Sequence, residues 1–462
     1  MMTLAEAQRM LPGSRIDGAP QAATVRFGSV STDSRTLAPG ALFVALRGPR
    51  FDGHEHVEAA ARRGAVAAIL ERTAPGGLPA ILVPDTRRAL GQLAAGWRAR
   101  FALPLIAVAG SNGKTTVTQM VASILAQAFG RADANPRAWL ATRGNLNNDI
   151  GLPLMLLELD ARHRAAVLEL GMNHPGEMAL LAGIARPTVA LVNNAQREHQ
   201  EFLADEAATA RENAAVIDAL PPEGVAVFPA DDSQAHVWRQ AAGTRRVLDF
   251  ARGTAAAVTA QFSAGASGSR LSIATPVGLI EAELQVPGVH NVHNALAACA
   301  CALAIGIEPR AIAAGLGAFR AVAGRGVPAT TASGATLIDD TYNANPDSVR
   351  AAIEVLALRG QPRILVLGDM GEVGERGPAF HREIGRHARE CGIDALLCLG
   401  EAAAQAAEAY GKGGRHFATV EALVAAAAAL AVPPATVLVK GSRFMKMERV
   451  VAALARGADA GD

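Results

Sequence analysis

Two glycines, a lysine and a threonine hydroxyl close the stretch Gly110-Ser-Asn-Gly-Lys-Thr115, which follows the apolar run 105–109 and opens a helical pattern toward Phe129. A strand that turns into a helix at such a loop presents successive backbone N–H groups to an anion, reinforced by the partial positive charge of the helix start. Here Gly110, Ser111, Asn112 and Gly113 would cradle phosphates and Lys114 would add a full charge toward the outer ones. Thr115, followed by Thr116, would offer its hydroxyl to Mg²⁺. The general pattern G-x-x-x-x-G-K-[ST] is broken at one place, with Val108 where the first glycine belongs. The competing reading is an ordinary strand-to-helix turn that carries a lysine. The strand before and the helix after favour a nucleoside triphosphate site.

Other chemistry-bearing residues also fall at the ends of apolar runs. Glu169 closes Val167-Leu-Glu-Leu-Gly171, where an unpaired charge would be costly; a carboxylate there is placed to hold Mg²⁺, and a salt bridge is the alternative. Asn173 and His174 follow on the same rim, and His199 comes after the run ending at Asn193 and Asn194. His290-Asn-Val-His-Asn294 opens an alanine-rich helix; Asn294 can present its amide to an adenine edge or serve as a capping residue. Arg325 lies between two glycines at the expected junction of the second and third domains, within reach of a nucleotide phosphate. Asp339 and Asp340 close a strand ahead of Tyr342, Asn343 and Asn345, and such a carboxylate commonly accepts ribose hydroxyls. The turns Gly368-Asp-Met-Gly-Glu372 and Lys440-Gly-Ser-Arg443 follow strands as well. In the first hundred residues, Ser31-Thr-Asp-Ser-Arg35 and Phe51-Asp-Gly-His54 flank the run 42–47, which would gather Ser, Asp, Arg and His at one sheet end. Solvated surface turns are the alternative there.

The elements that must position these groups alternate between strand and helix along the chain. Runs at 41–46, 67–70 and 80–83 alternate with helical patterns at 56–63 and 87–100, giving a small α/β domain over 1–101. Runs at 105–109, 165–170, 189–193 and 225–228, separated by helices, predict a mostly parallel sheet over 102–325, with a less regular β portion near 246–286. Runs at 336–340, 363–367, 395–399 and 436–439 predict a third, Rossmann-like α/β domain over 326–462. Parallel sheets bind ligands outside the carboxyl ends of their strands.

Composition narrows the function class. The 462 residues carry 44 Lys and Arg against 43 Asp and Glu, a net charge of +1, which supports neither a nucleic-acid footprint nor a polybasic membrane patch. The four cysteines, Cys299, Cys301, Cys391 and Cys398, are too few and too oddly spaced for a disulfide framework or a zinc site. No apolar run reaches membrane-spanning length and the N-terminus has no signal pattern, so a reducing, cytoplasmic setting is expected.

Taken together, these motifs resemble the Mur ligases over nearly the whole chain. The phosphate loop and the His/Asn helix are common to that family and to folylpolyglutamate synthase. The segments 144–151, 169–174 and 339–348 resemble the branch that adds a D-Ala-D-Ala dipeptide. The resemblance implies ATP-dependent amide formation on a UDP-MurNAc-tripeptide by way of an acyl phosphate, with D-Ala-D-Ala as the amine. Lys114, Glu169 and His199 would be catalytic. Thr115, Glu169 and His199 would organise two Mg²⁺ ions, while Asn294, Arg325 and Asp340 would meet adenine, phosphate and ribose. The substrates would be held by Ser31, Thr32, Asp33, Ser34, Arg35, Ala45, Arg47 and Gly48 at the UDP end, with Asn145, Asn147, Asn148, Tyr342, Asn343 and Asn345 nearer the reacting groups. A monomer without nucleic-acid or membrane partners is expected. One departure stands out: many family members carry a carbamylated lysine on the helix after the histidine, whereas Glu212 and Asn213 occupy that stretch here. Two other readings are a ligase adding a single amino acid, and a nucleotide-gated scaffold without chemistry.

Overall fold

The computed structural model describes residues 1–73, 77–130, 138–198, 201–203 and 205–456. The architecture is three α/β domains in chain order. At its centre is a six-stranded sheet in the order Trp139–Ala141, Ala165–Glu169, Leu105–Ala109, Val189–Val192, Val225–Val227, Arg246–Val247, with all neighbours parallel. Side chains of Leu105–Ala109 alternate between two cores, as the period of a strand requires. Leu105, Ala107 and Ala109 face one cluster, and Ile106 and Val108 face the other. On the second face pack the helices Lys114–Phe129 and Val289–Ala304, together with a four-stranded sheet spanning Phe250–Leu284. That small sheet is the irregular β portion expected near 246–286. Its inward residues Leu271, Ile273, Ile280 and Leu284 are buried while their neighbours meet solvent.

The N-terminal sheet has the order Arg15–Asp17, Ala80–Leu82, Ala67–Leu70, Ala41–Val44, Ser29–Ser31, parallel except for its first pair. It shares one apolar cluster with the central domain. Leu90, Leu93 and Trp97 of helix Thr86–Arg98 lie in the same core as Leu152, Met155, Leu156, Met178 and Leu181. The Trp97 indole N–H donates across this seam to the Leu159 carbonyl at 3.0 Å.

The C-terminal sheet, ordered Val327–Thr330, Thr336–Asp340, Thr436–Lys440, Arg363–Gly368, Ala395–Leu399, Gly414–Phe417, has a separate core on each face. Its edge strand Val327–Thr330 pairs antiparallel and precedes the strand expected to open this domain. Pro328 is tolerated there because an edge strand has one unpaired side. Cys299, Cys301 and Cys398 are buried and free, and Cys391 is half-buried and free. No helix among the described residues is long and apolar enough to cross a membrane.

Candidate functional site

In the central sheet Val108 lies level with Glu169 and Ala109 with Val192, so the chain leaves at Gly110, Leu170 and Asn193 along one edge. This edge lies where the chain, having run from Leu105–Ala109 out to one side, crosses back to Val189–Val192 on the other. Such a switch point is the crevice expected for a ligand. Gly110 and Gly113 take φ of 121° and 82°. A Cβ on Gly113 would stand 2.3 Å from Asn294 Oδ1 and 2.6 Å from Asn193 Nδ2. Glycine is therefore required there by close approach as well as by conformation.

The loop is shaped by groups outside it. The Gly110 N–H donates to Asn213 Oδ1 at 3.0 Å and the Asn112 N–H to Asn194 Oδ1 at 2.8 Å. Asn193 Nδ2 donates to the Asn112 carbonyl at 2.8 Å and to Asn294 Oδ1 at 2.9 Å. The Gln196 N–H donates to Ser111 Oγ at 3.0 Å. Lys114 Nζ folds onto the carbonyls of Gly110 (2.7 Å) and Ser111 (2.9 Å) and meets Glu198 Oε2 at 3.3 Å. The amine is thus held at the mouth of the cradle by oxygens that a phosphate can replace.

One residue further along, Thr115 Oγ1 donates to Glu169 Oε2 at 2.8 Å. Asn147 Nδ2 donates to Glu169 Oε1 at 2.8 Å, and the Glu169 N–H is taken by Thr142 Oγ1 at 2.9 Å. Glu169 is only 4% exposed, with no basic side chain among these partners. The salt-bridge alternative for Glu169 is therefore replaced by a hydroxyl and an amide. A buried carboxylate beside a threonine hydroxyl at a phosphate loop is an oxygen pair that fits Mg²⁺, which takes its remaining ligands from water and phosphate. Among the described residues no three His, Cys, Asp or Glu side chains form a metal cluster on their own.

Two cavities meet at the loop. The larger, of about 950 Å³, is bordered by Asn112, Gly113, Thr116, Asn294, Arg325 and Asp340, with His290 on its wall. The smaller, of about 460 Å³, is bordered by Lys114, Thr115 and Glu169 together with Asn145, Asn147, Asn148, Asn173, Tyr342, Asn343 and Asn345. Asn112, Gly113, Arg325, Asp340 and Lys440 border both. Lys114 and Glu169 therefore share one chamber, and its far wall is the C-terminal domain. On that wall Lys440 Nζ donates to Asp340 Oδ2 at 2.7 Å and to the Asn343 carbonyl at 2.9 Å. Burial pushes the Asp340 carboxyl above the usual carboxylate range, while Lys440 and Arg325 pull it back. The Arg325 guanidinium lies over the Tyr342 ring, 4.2 Å from its centre.

Several expected residues do other work. Asn294 lies in the larger cavity wall, but its amide is tied to Asn193 and to Asn291. Glu212 Oε1 accepts from the N–H groups of Gly176 (2.8 Å) and Met178 (3.1 Å), at the start of helix Glu177–Ala185. Asn213, fully buried, props Gly110, and its Nδ2 donates to the Thr209 carbonyl. Neither Glu212 nor Asn213 borders either of these two cavities. His174 pairs with Glu177 at 3.3 Å. His54 is held between Asp52 and the Glu71 N–H. His199 lies outside the described residues.

Ser31, Thr32, Asp33, Ser34, Arg35, Ala45, Arg47 and Gly48 gather at the carboxyl edge of the N-terminal sheet, outside both cavities. Asp33 pairs with Arg35 within its own loop, and that guanidinium holds the carboxyl down to about 2. Arg47 meets Glu71 at 3.3 Å. The Ala45 carbonyl accepts from Thr86 Oγ1 at 2.9 Å. The next residue, Arg87, borders the smaller cavity and pairs with Asp149 of the central domain. Sequence reasoning missed Gln196, Arg197 and Glu198. Their signal was a polar run, Asn193-Asn-Ala-Gln-Arg-Glu198, directly after an apolar strand.

A parallel sheet with a phosphate loop at its switch point, closed over by a third domain, defines a three-domain nucleotide-binding enzyme. Three family models match in chain order: "Mur ligase family, catalytic domain" at residues 26–98, "Mur ligase middle domain" at 108–302 and "Mur ligase, glutamate ligase domain" at 324–443. The chain belongs to the Mur ligase family. It is 40% identical to the UDP-N-acetylmuramoyl-tripeptide–D-alanyl-D-alanine ligase of Escherichia coli K12, over 95% of this chain and 96% of that protein. To the Bacillus subtilis ligase of the same name it is 34% identical, over 94% of each chain. Among solved structures, a crystal structure of MurF from Acinetobacter baumannii superposes with a TM-score of 0.91 at 35% identity, covering 98% of this chain and 99% of that one. MurF ligase from Thermotoga maritima in complex with ADP superposes with a TM-score of 0.79 at 25% identity, covering 94% and 97%.

Proposed function

We propose that the protein is an ATP-dependent ligase that joins D-alanyl-D-alanine to UDP-N-acetylmuramoyl-tripeptide. The observation that carries this reading is the shared chamber: Lys114, Thr115 and Glu169 border a cavity that opens, past Asn112 and Gly113, into a second one large enough for a nucleotide. ATP occupies the larger cavity, with its phosphates over the loop amides and its ribose toward Asp340. Lys114 leaves the Gly110 and Ser111 carbonyls to meet the outer phosphates. Thr115 and Glu169 would hold Mg²⁺, which would supply the positive charge that lets two anions approach, and His199 is the candidate for a second ion. We assign no metal-binding role to Glu212 or Asn213.

The acceptor enters from residues 1–101, with its uridine end near Ser31 to Arg35 and its peptide running past Arg87 toward Asn145, Asn147 and Asn148. Its terminal carboxylate oxygen attacks the γ-phosphorus, the bond to the β,γ-bridging oxygen breaks, and ADP leaves an acyl phosphate. The dipeptide, held by Tyr342, Asn343 and Asn345 of residues 326–462, attacks the acyl carbon through its amine. The carbon–oxygen bond then breaks and inorganic phosphate departs with that oxygen.

The test is incubation of the purified protein with ATP, Mg²⁺, UDP-MurNAc-tripeptide and either D-Ala-D-Ala or single amino acids, read by mass spectrometry. The expected result is a dipeptide adduct formed one-to-one with phosphate. Activity with single amino acids alone, or ATP turnover unchanged when acceptor and amine are omitted, would remove the reading.

A further inference from the structure

The segment 194–198 makes two sets of contacts. Asn194, Gln196 and Glu198 reach the phosphate loop: Asn194 takes the Asn112 N–H, Gln196 Oε1 accepts from Asn112 Nδ2 at 2.6 Å, and Glu198 meets Lys114. Arg197, between them, points the other way into the C-terminal domain. Its backbone N–H donates to Asp347 Oδ2 at 2.9 Å, and its Nη2 donates to Asp347 Oδ1 at 2.5 Å. Its Nη1 donates to Glu383 Oε2 at 2.8 Å, and its guanidinium lies 5.2 Å from the centre of the Phe380 ring. Arg350 braces Glu383 from the other side at 3.3 Å. A second tie lies close by, where Asn345 Nδ2 donates to Asn112 Oδ1 at 2.9 Å.

Asn345 caps the helix Pro346–Ala357 that follows Tyr342 and Asn343, and Asp347 lies in its first turn. Arg197 is 17% exposed, and both carboxylates it binds are at least two-thirds covered. A bidentate guanidinium shared by two carboxylates fixes orientation as well as distance, which a single-point ammonium contact does not. Both cavities have the C-terminal domain as a wall, so their shape depends on how that domain is seated.

We propose that Arg197 is a positioning residue: it seats the amine-binding face of the C-terminal domain over the phosphate loop, through Asp347 and Glu383. Because Glu198, its neighbour, is a partner of Lys114, movement of Lys114 onto a phosphate is transmitted to the seat of that domain. The inference rests on the ligase reading for which substrate is affected, but the seating itself does not.

The test compares wild type with Arg197→Gln, Arg197→Lys and the exchanged pair Arg197→Asp with Asp347→Arg, all as the full chain. Small-angle scattering with and without the non-hydrolysable analogue AMPPCP reads domain seating, and steady-state kinetics reads KM for each substrate. For Arg197→Gln we expect a larger radius of gyration with AMPPCP bound, a KM for the dipeptide raised at least tenfold, and AMPPCP affinity within threefold of wild type. Lys should recover part of the loss, and the exchanged pair should recover at least a tenth of wild-type kcat/KM. An unchanged radius and dipeptide KM would overturn the proposal, as would an equal loss for all three substrates with a lowered Tm. Failure of the ligase reading would appear separately, as wild type inactive on the dipeptide while the scattering difference persists.

Discussion

The two seams between domains are built from opposite materials. Between the N-terminal and central domains the seam is mainly apolar, with the Arg87–Asp149 pair as an ionic contact across it: Leu90, Leu93 and Trp97 share one core with Leu152, Met155 and Leu156. Between the central and C-terminal domains it is polar and ionic, carried by Asn112 with Asn345 and by Arg197 with Asp347 and Glu383, and each C-terminal core is closed within its own domain. An apolar seam loses its stabilisation when water enters, so it behaves as part of the fold. Polar partners can exchange for water at a small net cost, so the second seam can open and close. The groups proposed to react line this second, polar seam.

Substitutions should therefore divide by seam. The largest effect belongs to Lys114→Ala, which removes the only lysine on the phosphate loop: ligation rate should fall by about 10³ or more, equivalent to about 4 kcal/mol, with the unfolding midpoint little changed. Retained turnover would refute its role. Leu93→Ala, on the apolar seam, should do the reverse. It should cost about 3 kcal/mol in denaturant unfolding while the folded fraction keeps its kcat. Loss of kcat without loss of stability would erase the distinction between the seams.

Glu169→Gln keeps the side-chain volume and one acceptor but removes the charge. Its activity should drop about 10²-fold (roughly 2.7 kcal/mol) and recover in part at higher Mg²⁺, measured as a shift in the metal titration midpoint. Asn213→Ala leaves the Gly110 N–H without its acceptor. It should cost about 1–3 kcal/mol of stability and weaken nucleotide binding, read by calorimetry; unchanged affinity would show that the loop does not need this prop. The smallest structural effect is expected from Arg35→Ala. Its partner is within its own exposed loop, so Tm should hold while KM for the UDP-linked acceptor rises several-fold. An unchanged KM would remove this loop from the acceptor site.

The sequence carried the periodic elements well, because each is a local pattern. The strands Ala67–Leu70, Thr336–Asp340 and Ala395–Leu399 coincide with their apolar runs. The phosphate loop was legible for the same reason, since its glycines, lysine and threonine are contiguous. Glu169 was legible as a charge ending an apolar strand. The polar seam was not legible: Arg197 and Asp347 are 150 residues apart, and nothing near either one names the other. Asn213, with Glu212 beside it, falls nearest the family's lysine position in sequence, yet helix geometry turns Asn213 onto Gly110 and Glu212 onto Gly176. Strand Val327–Thr330 escaped notice because Pro328 argues against a strand unless the edge position is known.

In the proposed reaction a substrate carboxylate takes the γ-phosphoryl group inside the chamber bordered by Lys114 and Glu169. Acceptor labelled with ¹⁸O in its terminal carboxylate, turned over with ATP and the dipeptide, tests this directly. One ¹⁸O atom should appear in each inorganic phosphate released; phosphate free of label, formed at the same rate as product, would contradict it.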